Sequence, residues 1–196
     1  MKVKVELNKE ACPQCIKSFG ADAVILAIGS KPVVPPIKGI ENTMTSVDAI
    51  DSPESIGQKV VIAGAGLVGC EIAYDEVLKG KDVTIVEALP EIMAAGLPNP
   101  IPNSMMIKDL FEQKKVNALT NHKVVEFKSD SVVVETPDGK TKVITADTII
   151  NALGFSSMPS MKDALEGLNV YEIGDAKQAA NILTAISDGY AAGNNI

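Results

Sequence analysis

The chain has 196 residues, enough for one large domain or two small ones. Its net charge is −7 and its longest basic run is Lys114-Lys115, which argues against a nucleic-acid partner because such a surface repels phosphates. No apolar run approaches the roughly 18 residues of a membrane span, and the first residues alternate as in a strand, unlike a secretory leader. With three cysteines, we expect a cytoplasmic globular protein that binds neither nucleic acid nor membrane.

The first fifty residues contain short elements and a proline-rich connection. The residue patterns predict a strand at 2–7, a short helix at 9–18, a buried parallel strand at 21–27 and one helical turn at 47–50. The prolines between Lys31 and Gly39 exclude a helix and a central strand. We therefore expect an extended connection there, at a domain boundary.

Residues 59–87 have the order strand, glycine run, helix, strand, acid. An apolar strand at 60–63 leads into a G-x-G-x-x-G run, and helical spacing follows before a second strand at 82–86. The glycines of the run are Gly64, Gly66 and Gly69. The second strand ends in Glu87, and this order is typical of a dinucleotide-binding βαβ unit. The alternative is a flavodoxin-like domain whose glycines only turn the chain.

The glycine run offers a place for a pyrophosphate. Gly64 allows a tight turn out of the strand, Gly66 lets the main chain approach the pyrophosphate, and Gly69 lets the helix pack close to the strand. The helix then begins with Leu67 and Val68, whose N–H groups lie at the positive end of the helix dipole.

Glu87 indicates which nucleotide binds. Its carboxylate can accept hydrogen bonds from both ribose hydroxyls of an adenosine, whereas a 2′-phosphate would meet a like charge. Ala88 follows it and supplies no positive charge. The sequence therefore favours NAD(H) over NADP(H).

The rest of the chain continues as an α/β pattern. We predict a loop at 90–102, a helix at 104–115, a parallel strand at 116–120, a meander of strands at 123–127, 131–135 and 142–145, a buried strand at 147–152, a short helix at 161–165, a strand at 170–173 and a helix at 181–193.

Two further motifs are present. Residues 21–32 and 147–159 have the same pattern. Each has an acidic residue near its start, then an apolar strand, an Ala-x-Gly sequence and a proline. Their glycines are Gly29 and Gly154. Near the C-terminus, the strand that begins at Tyr171 ends in Gly174-Asp175, which presents one carboxylate at a helix start.

Together these motifs resemble the flavoproteins with two dinucleotide-binding domains, the pyridine nucleotide-disulfide oxidoreductases and their relatives. The resemblance implies that Gly29 and Gly154 mark the two crossings between domains and that Gly174-Asp175 holds the FAD ribitol. It implies an α/β fold in which a Rossmann-like NAD(P)-binding domain, a parallel sheet plus β-meander, is inserted in a partial FAD-type domain. The expected boundaries are 51–153 for the NAD(H)-binding domain and 1–50 with 154–196 for the FAD-type domain.

Residues 22–35, 59–91, 147–156 and 171–193 are most similar to the C-terminal portion of NADH:flavin oxidoreductases of the old yellow enzyme, NADH oxidase, 2,4-dienoyl-CoA reductase and enoate reductase group. The resemblance implies hydride transfer from NADH to FAD, then electron flow through an iron–sulfur cluster to FMN and an activated C=C bond. Because this sequence has a single G-x-G-x-x-G run, we expect a fragment that binds NAD(H). FAD is expected in the full-length parent, and its binding to the isolated chain stays open. FMN and the cluster are expected only in upstream parts, with the upstream flavin-binding barrel as partner.

Three residue types allow two interpretations each. The family often places a glutamate like Glu71 near the nicotinamide, but a first-turn acid is also stabilised by the helix dipole. Cys12 and Cys15 could exchange disulfides, although incidental thiols at a loop are favoured. His122, the single histidine, is interpreted as part of a surface turn, since no second ligand or nucleophile accompanies it.

The favoured function is an NADH-binding module of a flavin-dependent oxidoreductase, with no catalytic residue and no metal ligand of its own, since the cofactors carry the chemistry. One alternative is another flavoprotein with two dinucleotide domains, of the NADH peroxidase or ferredoxin reductase type. The other is a noncatalytic domain that senses NAD(H).

Overall fold

The computed structural model describes residues 3–95 and 101–196. The helices within these ranges are α1 (Pro13–Phe19), α2 (Ser46–Asp51), α3 (Leu67–Leu78), α4 (Ile101–Lys114) and α5 (Ile182–Asn194). The strands are β1 (Val24–Leu26), β2 (Ser30–Pro32), β3 (Met44–Thr45), β4 (Lys59–Ala63), β5 (Asp82–Val86), β6 (Asn117–Leu119), β7 (Lys123–Phe127), β8 (Ser131–Glu135), β9 (Thr141–Thr145), β10 (Thr148–Asn151), β11 (Phe155–Ser157) and β12 (Val170–Glu172).

The chain divides into two compact units. Residues 32–155 form one, called the central unit below, and residues 1–31 with 156–196 form the other, the terminal unit. The assignment of 51–153 to an NAD(H)-binding domain and of 1–50 with 154–196 to an FAD-type domain stays a prediction.

The central unit is built on a five-stranded parallel sheet in the order β3-β10-β4-β5-β6. Its strands end level with one another, because Ala63 pairs with both Asn151 and Val86, and Val86 pairs with Leu119. The loops that follow these strands therefore meet at one edge of the sheet. Ligands of open α/β sheets bind at this edge, where the strand order reverses, here between β4 and β10.

Both faces of this sheet are covered. Along β4, Val60 and Ile62 belong to a buried cluster with residues of α2, α3 and α4, whereas Val61 and Ala63 belong to a second cluster with the antiparallel sheet β7-β8-β9. The alternation of a strand sends successive side chains to opposite faces. The continuous apolar runs of β4 and β5 follow from this arrangement, because both of their faces are buried.

The terminal unit pairs β1 with β12 in parallel. Its last helix, α5, begins after Asn181, whose side chain accepts a hydrogen bond from the Thr184 N–H at 2.9 Å. Much apolar surface of this unit is exposed, including Ile182, Ile186 and Tyr190 on α5.

The structure confirms six predicted features within one or two residues, namely the βαβ unit, α2, β6, the meander, β10 and α5. The strand predicted at 2–7 is wrong, since residues 3–7 form none, and Lys2 lies outside the described residues. The predicted buried strand at 21–27 shortens to β1, in which Ile25 is 42% exposed. Among the described residues, β12 is the single strand beside β1, and burial of a parallel strand depends on neighbours that the local sequence does not reveal.

The loop predicted at 90–102 is also wrong at its end, where the structure has the start of a helix. α4 begins at Ile101 and includes Pro102, because a proline is tolerated in the first turn of a helix, where its missing N–H would have no intrahelical partner. Residues 96–100 of that predicted loop lie outside the described residues.

A buried ion-pair cluster joins the end of α3 to the segment that precedes β4. Glu76, which is 2% exposed, pairs with Lys79 at 2.6 Å and with Lys81 at 2.5 Å. The Lys81 ammonium also donates to the Ile56 carbonyl at 2.8 Å. Asp75, on the solvent side of α3, pairs with the same Lys79 at 2.7 Å.

We expect Glu76→Ala to lower the free energy of unfolding by about 3 kcal/mol, because it leaves the mostly buried Lys81 without its counter-ion. Asp75→Ala is the matched control and should cost less than about 1 kcal/mol, since its ion pair is exposed. Urea unfolding followed by circular dichroism measures both. Equal losses for the two variants would contradict a structural role for the buried carboxylate.

Candidate functional site

The turn between β4 and α3 touches the turn after β10. The Gly64 N–H donates to the Val86 carbonyl at 2.8 Å, and Gly64 has φ +100°. A Cβ at this position would lie 2.5 Å from the carbonyl oxygen of Ala152. Gly64 is therefore required both by its backbone conformation and by the close approach of the second chain segment.

The other two glycines of the run differ from each other. A Cβ at Gly69 would lie 2.1 Å from the carbonyl oxygen of Gly64, so this glycine lets α3 pack against the turn. A Cβ at Gly66 would meet no atom of the described residues within 4 Å, and the Gly66 backbone (φ −70°, ψ −176°) is extended. The middle glycine thus borders open space that a side chain would fill, as a nucleotide cradle requires.

The N-terminus of α3 leaves donors free at this place. Gly66 is the N-cap, and no side chain in 3–95 or 101–196 caps the helix. The first intrahelical hydrogen bond runs from the Cys70 N–H to the Gly66 carbonyl at 3.0 Å, so the N–H groups of Leu67, Val68 and Gly69 have no acceptor within the helix. Such a helix end suits a phosphate group.

Glu87 is held beside the glycine turn. It is 8% exposed; its Oε2 accepts the Ala65 N–H at 2.8 Å and its Oε1 accepts the Leu89 N–H at 2.9 Å. A carboxylate has about four lone-pair sites, so each oxygen keeps acceptor capacity for a ribose hydroxyl. Sequence reasoning predicted that Glu87 binds the ligand, but it missed a structural role of this carboxylate, which is to fix the glycine turn through Ala65.

The remaining predicted residues of the central unit are exposed. Ala88 follows Glu87, Glu71 lies one turn into α3, and Gly154 (φ +101°) follows β10. Gly154 is fixed by the Val33 N–H, which donates to its carbonyl at 2.9 Å. The structure therefore brings the predicted residues from Gly64 to Glu71, Glu87, Ala88 and Gly154 to the carboxyl edge of one sheet.

The other three predicted residues lie together in the terminal unit. Gly29 (φ +78°) follows β1, and Gly174-Asp175 follows the neighbouring β12. Asp175 accepts hydrogen bonds from the Ser30 hydroxyl at 2.7 Å and from the Ala180 N–H at 3.1 Å. That these residues hold the ribitol part of FAD stays a prediction.

The cysteines and the histidine are placed as follows. Cys12 and Cys15 are joined as a disulfide, so the interpretation as incidental thiols is wrong about their state. The backbone N–H of His122 donates to the Glu87 carbonyl at 2.8 Å, and the His122 ring is half-buried just after a turn.

Within 3–95 and 101–196, no three His, Cys, Asp or Glu side chains are grouped to hold a metal ion. None of the helices described is long and apolar enough to cross a bilayer.

Residues 2–196 match the family model described as pyridine nucleotide-disulphide oxidoreductase. The chain belongs to this family. Its members are flavoproteins that bind FAD and NAD(P)H, and the predicted family and its Rossmann-like α/β fold are thereby confirmed.

Three relatives illustrate the similarity. Cinnamate reductase of Clostridium sporogenes is 35% identical over 196 residues, which cover 99% of this chain and 29% of that protein. NADH oxidase of Thermoanaerobacter brockii is 36% identical over 197 residues, which cover 96% of this chain and 30% of that one. The structure of 2-naphthoyl-CoA reductase with 2-naphthoyl-CoA superposes with a TM-score of 0.87 at 30% identity, over 99% of this chain and 30% of that one. The chain thus spans less than a third of the length of these relatives.

The surroundings of Gly66 and Gly69 predict different effects of alanine substitutions on stability. We expect Gly69→Ala to lower the free energy of unfolding by at least about 2 kcal/mol, because the new methyl group overlaps a backbone oxygen that cannot move away freely. Gly66→Ala should change it by less than about 0.5 kcal/mol, since the methyl enters open space in an extended backbone. Urea unfolding of both variants tests this, and an equal loss would show that the open space is filled.

Burial raises the pKa of the Cys70 thiol to about 12 from an ordinary 9.0, and the nearby Glu87 and Glu71 carboxylates add to the shift. We therefore expect iodoacetamide at pH 8 to label native Cys70 about 1,000-fold more slowly than the urea-unfolded chain, in proportion to the thiolate fraction. As the pH rises, the thiol ionises in the unfolded chain before it ionises in the folded protein. The neutral buried thiol therefore makes its full contribution to the free energy of unfolding below pH 9, and this contribution is lost between pH 9 and about 12. Rapid labelling of the folded protein would contradict the burial.

Proposed function

We propose that the chain is the NADH-binding module of a flavin-dependent oxidoreductase and that NADH binds at the carboxyl edge of the central sheet. The observation that carries the proposal is the combination at the β4–α3 turn. An open space borders Gly66, free N–H groups begin α3, and a buried carboxylate stands beside them at Glu87. Each of these features matches one part of a dinucleotide.

The residues of the chain bind and orient the nucleotide. The N–H groups of Leu67, Val68 and Gly69 would receive the pyrophosphate, and the Glu87 carboxylate would accept the two ribose hydroxyls. Because Glu87 is itself fixed by two backbone N–H groups, it is held in place before the ribose arrives, which reduces the entropy lost on binding. The exposed Glu71, Ala88 and Gly154 complete the proposed set.

When bound, NADH would supply a hydride to FAD, and we propose that electrons would then flow onward to an FMN site that reduces an activated C=C bond. The relatives named for cinnamate and 2-naphthoyl-CoA support an unsaturated, conjugated acceptor. Gly29, Gly174 and Asp175 are proposed to contribute to the FAD site. The FAD pyrophosphate would need a cradle that this sequence does not contain, so we assign no step of the reaction to these three residues.

We expect NADH to bind the chain at least about tenfold more tightly than NADPH, because the 2′-phosphate would approach the Glu87 carboxylate. Gly66→Ala should weaken NADH binding about tenfold or more while the protein stays folded, since its methyl group occupies the space of the pyrophosphate. Glu87→Gln should reduce the preference for NADH. Isothermal titration calorimetry with both nucleotides measures these affinities.

Glu135→Gln is the matched control for charge, since Glu135 is an exposed residue at the end of β8. It should leave both affinities unchanged. Thermal unfolding of every variant separates loss of binding from loss of fold. Tighter binding of NADPH to the unmutated chain would refute the assignment of Glu87, and unchanged NADH binding by Gly66→Ala would refute the site.

A further inference from the structure

We propose that Cys12 and Cys15 form a reversible dithiol–disulfide couple that exchanges with low-molecular-weight thiols and disulfides. The couple lies in the terminal unit and is independent of the nucleotide site proposed above. It rests on three observations, which are the bonded pair itself, the difference in exposure of the two sulfurs, and a cavity beside one of them.

The start of α1 brings the two cysteines together. Cys12 is the N-cap residue and Pro13 occupies the first helical position, where a proline fixes the backbone without removing a needed hydrogen bond. The two Cα atoms are 5.1 Å apart, within the usual range for a disulfide. The Cys15 N–H donates to the Cys12 sulfur at 3.1 Å, and the same donor can stabilise a thiolate at Cys12 after reduction.

The two sulfurs are not equally accessible. Cys15 is exposed, whereas Cys12 is half-buried. Cys15 also lines a cavity of about 370 Å³, together with Lys9, Glu10, Phe19 and Ile25. This volume is at the lower end of the range for small-molecule sites, so the cavity fits a thiol of low molecular weight that presents both charged and apolar groups.

The exchange follows from this asymmetry. A thiolate attacks the Cys15 sulfur, forms a mixed disulfide there and breaks the bond to Cys12, which leaves with the electron pair as a thiolate. A second thiolate then attacks the sulfur of the bound small molecule, which departs as part of a new disulfide and leaves Cys15 reduced. The two cysteines take up two protons in total, so two small thiols are oxidised to one disulfide while one protein disulfide is reduced to two thiols.

The experiment equilibrates the whole 196-residue chain with graded ratios of reduced to oxidised glutathione, approached from both directions. Acid quenching, maleimide labelling and mass spectrometry then count the free thiols. We expect one reversible two-electron transition at Cys12 and Cys15, with glutathione trapped on Cys15 as the intermediate. Cys70 serves as an internal reference that does not exchange, because it is buried and not disulfide-bonded.

Cys12→Ser and Cys15→Ser should each abolish the two-electron transition, and Cys12→Ser should leave one mixed disulfide, on Cys15. Ser18→Ala is the matched control in the same helix, since the exposed Ser18 only donates to the Gln14 carbonyl, and it should keep the transition. Independent glutathionylation of both cysteines, trapping on Cys12, or no exchange at all would overturn the proposal. Reduction by a dithiol protein but not by glutathione would overturn the assignment of a small-molecule partner.

Discussion

The close approach of three main-chain segments at Gly64 is the constraint on which the central unit depends. The turn after β4 lies against the carbonyl of Ala152, and α3 lies against the carbonyl of Gly64 through Gly69. No side chain fits at either contact, so the helix begins close to the sheet edge. This closeness is what places the free N–H groups of α3 over the carboxyl ends of the strands, where the sheet alone would offer none.

Glu87 connects this backbone arrangement to recognition. A nearly buried carboxylate is costly unless it is hydrogen-bonded, and here two backbone N–H groups satisfy it, one of them from the glycine turn. The residue proposed to select the ribose therefore also holds the turn proposed to receive the pyrophosphate. A substitution of Glu87 acts on both, which is why nucleotide preference has to be compared with stability in the same variant.

The sequence predicted most of the central unit, because its signals are local. The change from a strand to a helical period around the glycines and the Pro-Asp-Gly turn of the meander depend on neighbouring residues only. The predictions that were wrong concern residues whose state depends on distant partners. Whether residues 3–7 pair with another strand, and whether Ile25 is covered, is decided by elements far away in the chain. The second role of Glu87 was likewise invisible, since its partner Ala65 is 22 residues away.

The two units also differ in how much core each one has. Both clusters of buried apolar residues lie between Ala49 and Ala152, on the two faces of the central sheet. The buried apolar residues of the terminal unit are Leu26, Leu165, Ala176 and Ala192 among those described. Burial of apolar surface is the main source of folding free energy. The central unit therefore gains more folding free energy from its own core than the terminal unit does. Nucleotide binding should therefore survive conditions that loosen the terminal unit. The Cys12–Cys15 couple should be more sensitive to them, because its exchange depends on a short helix in a unit with few buried contacts.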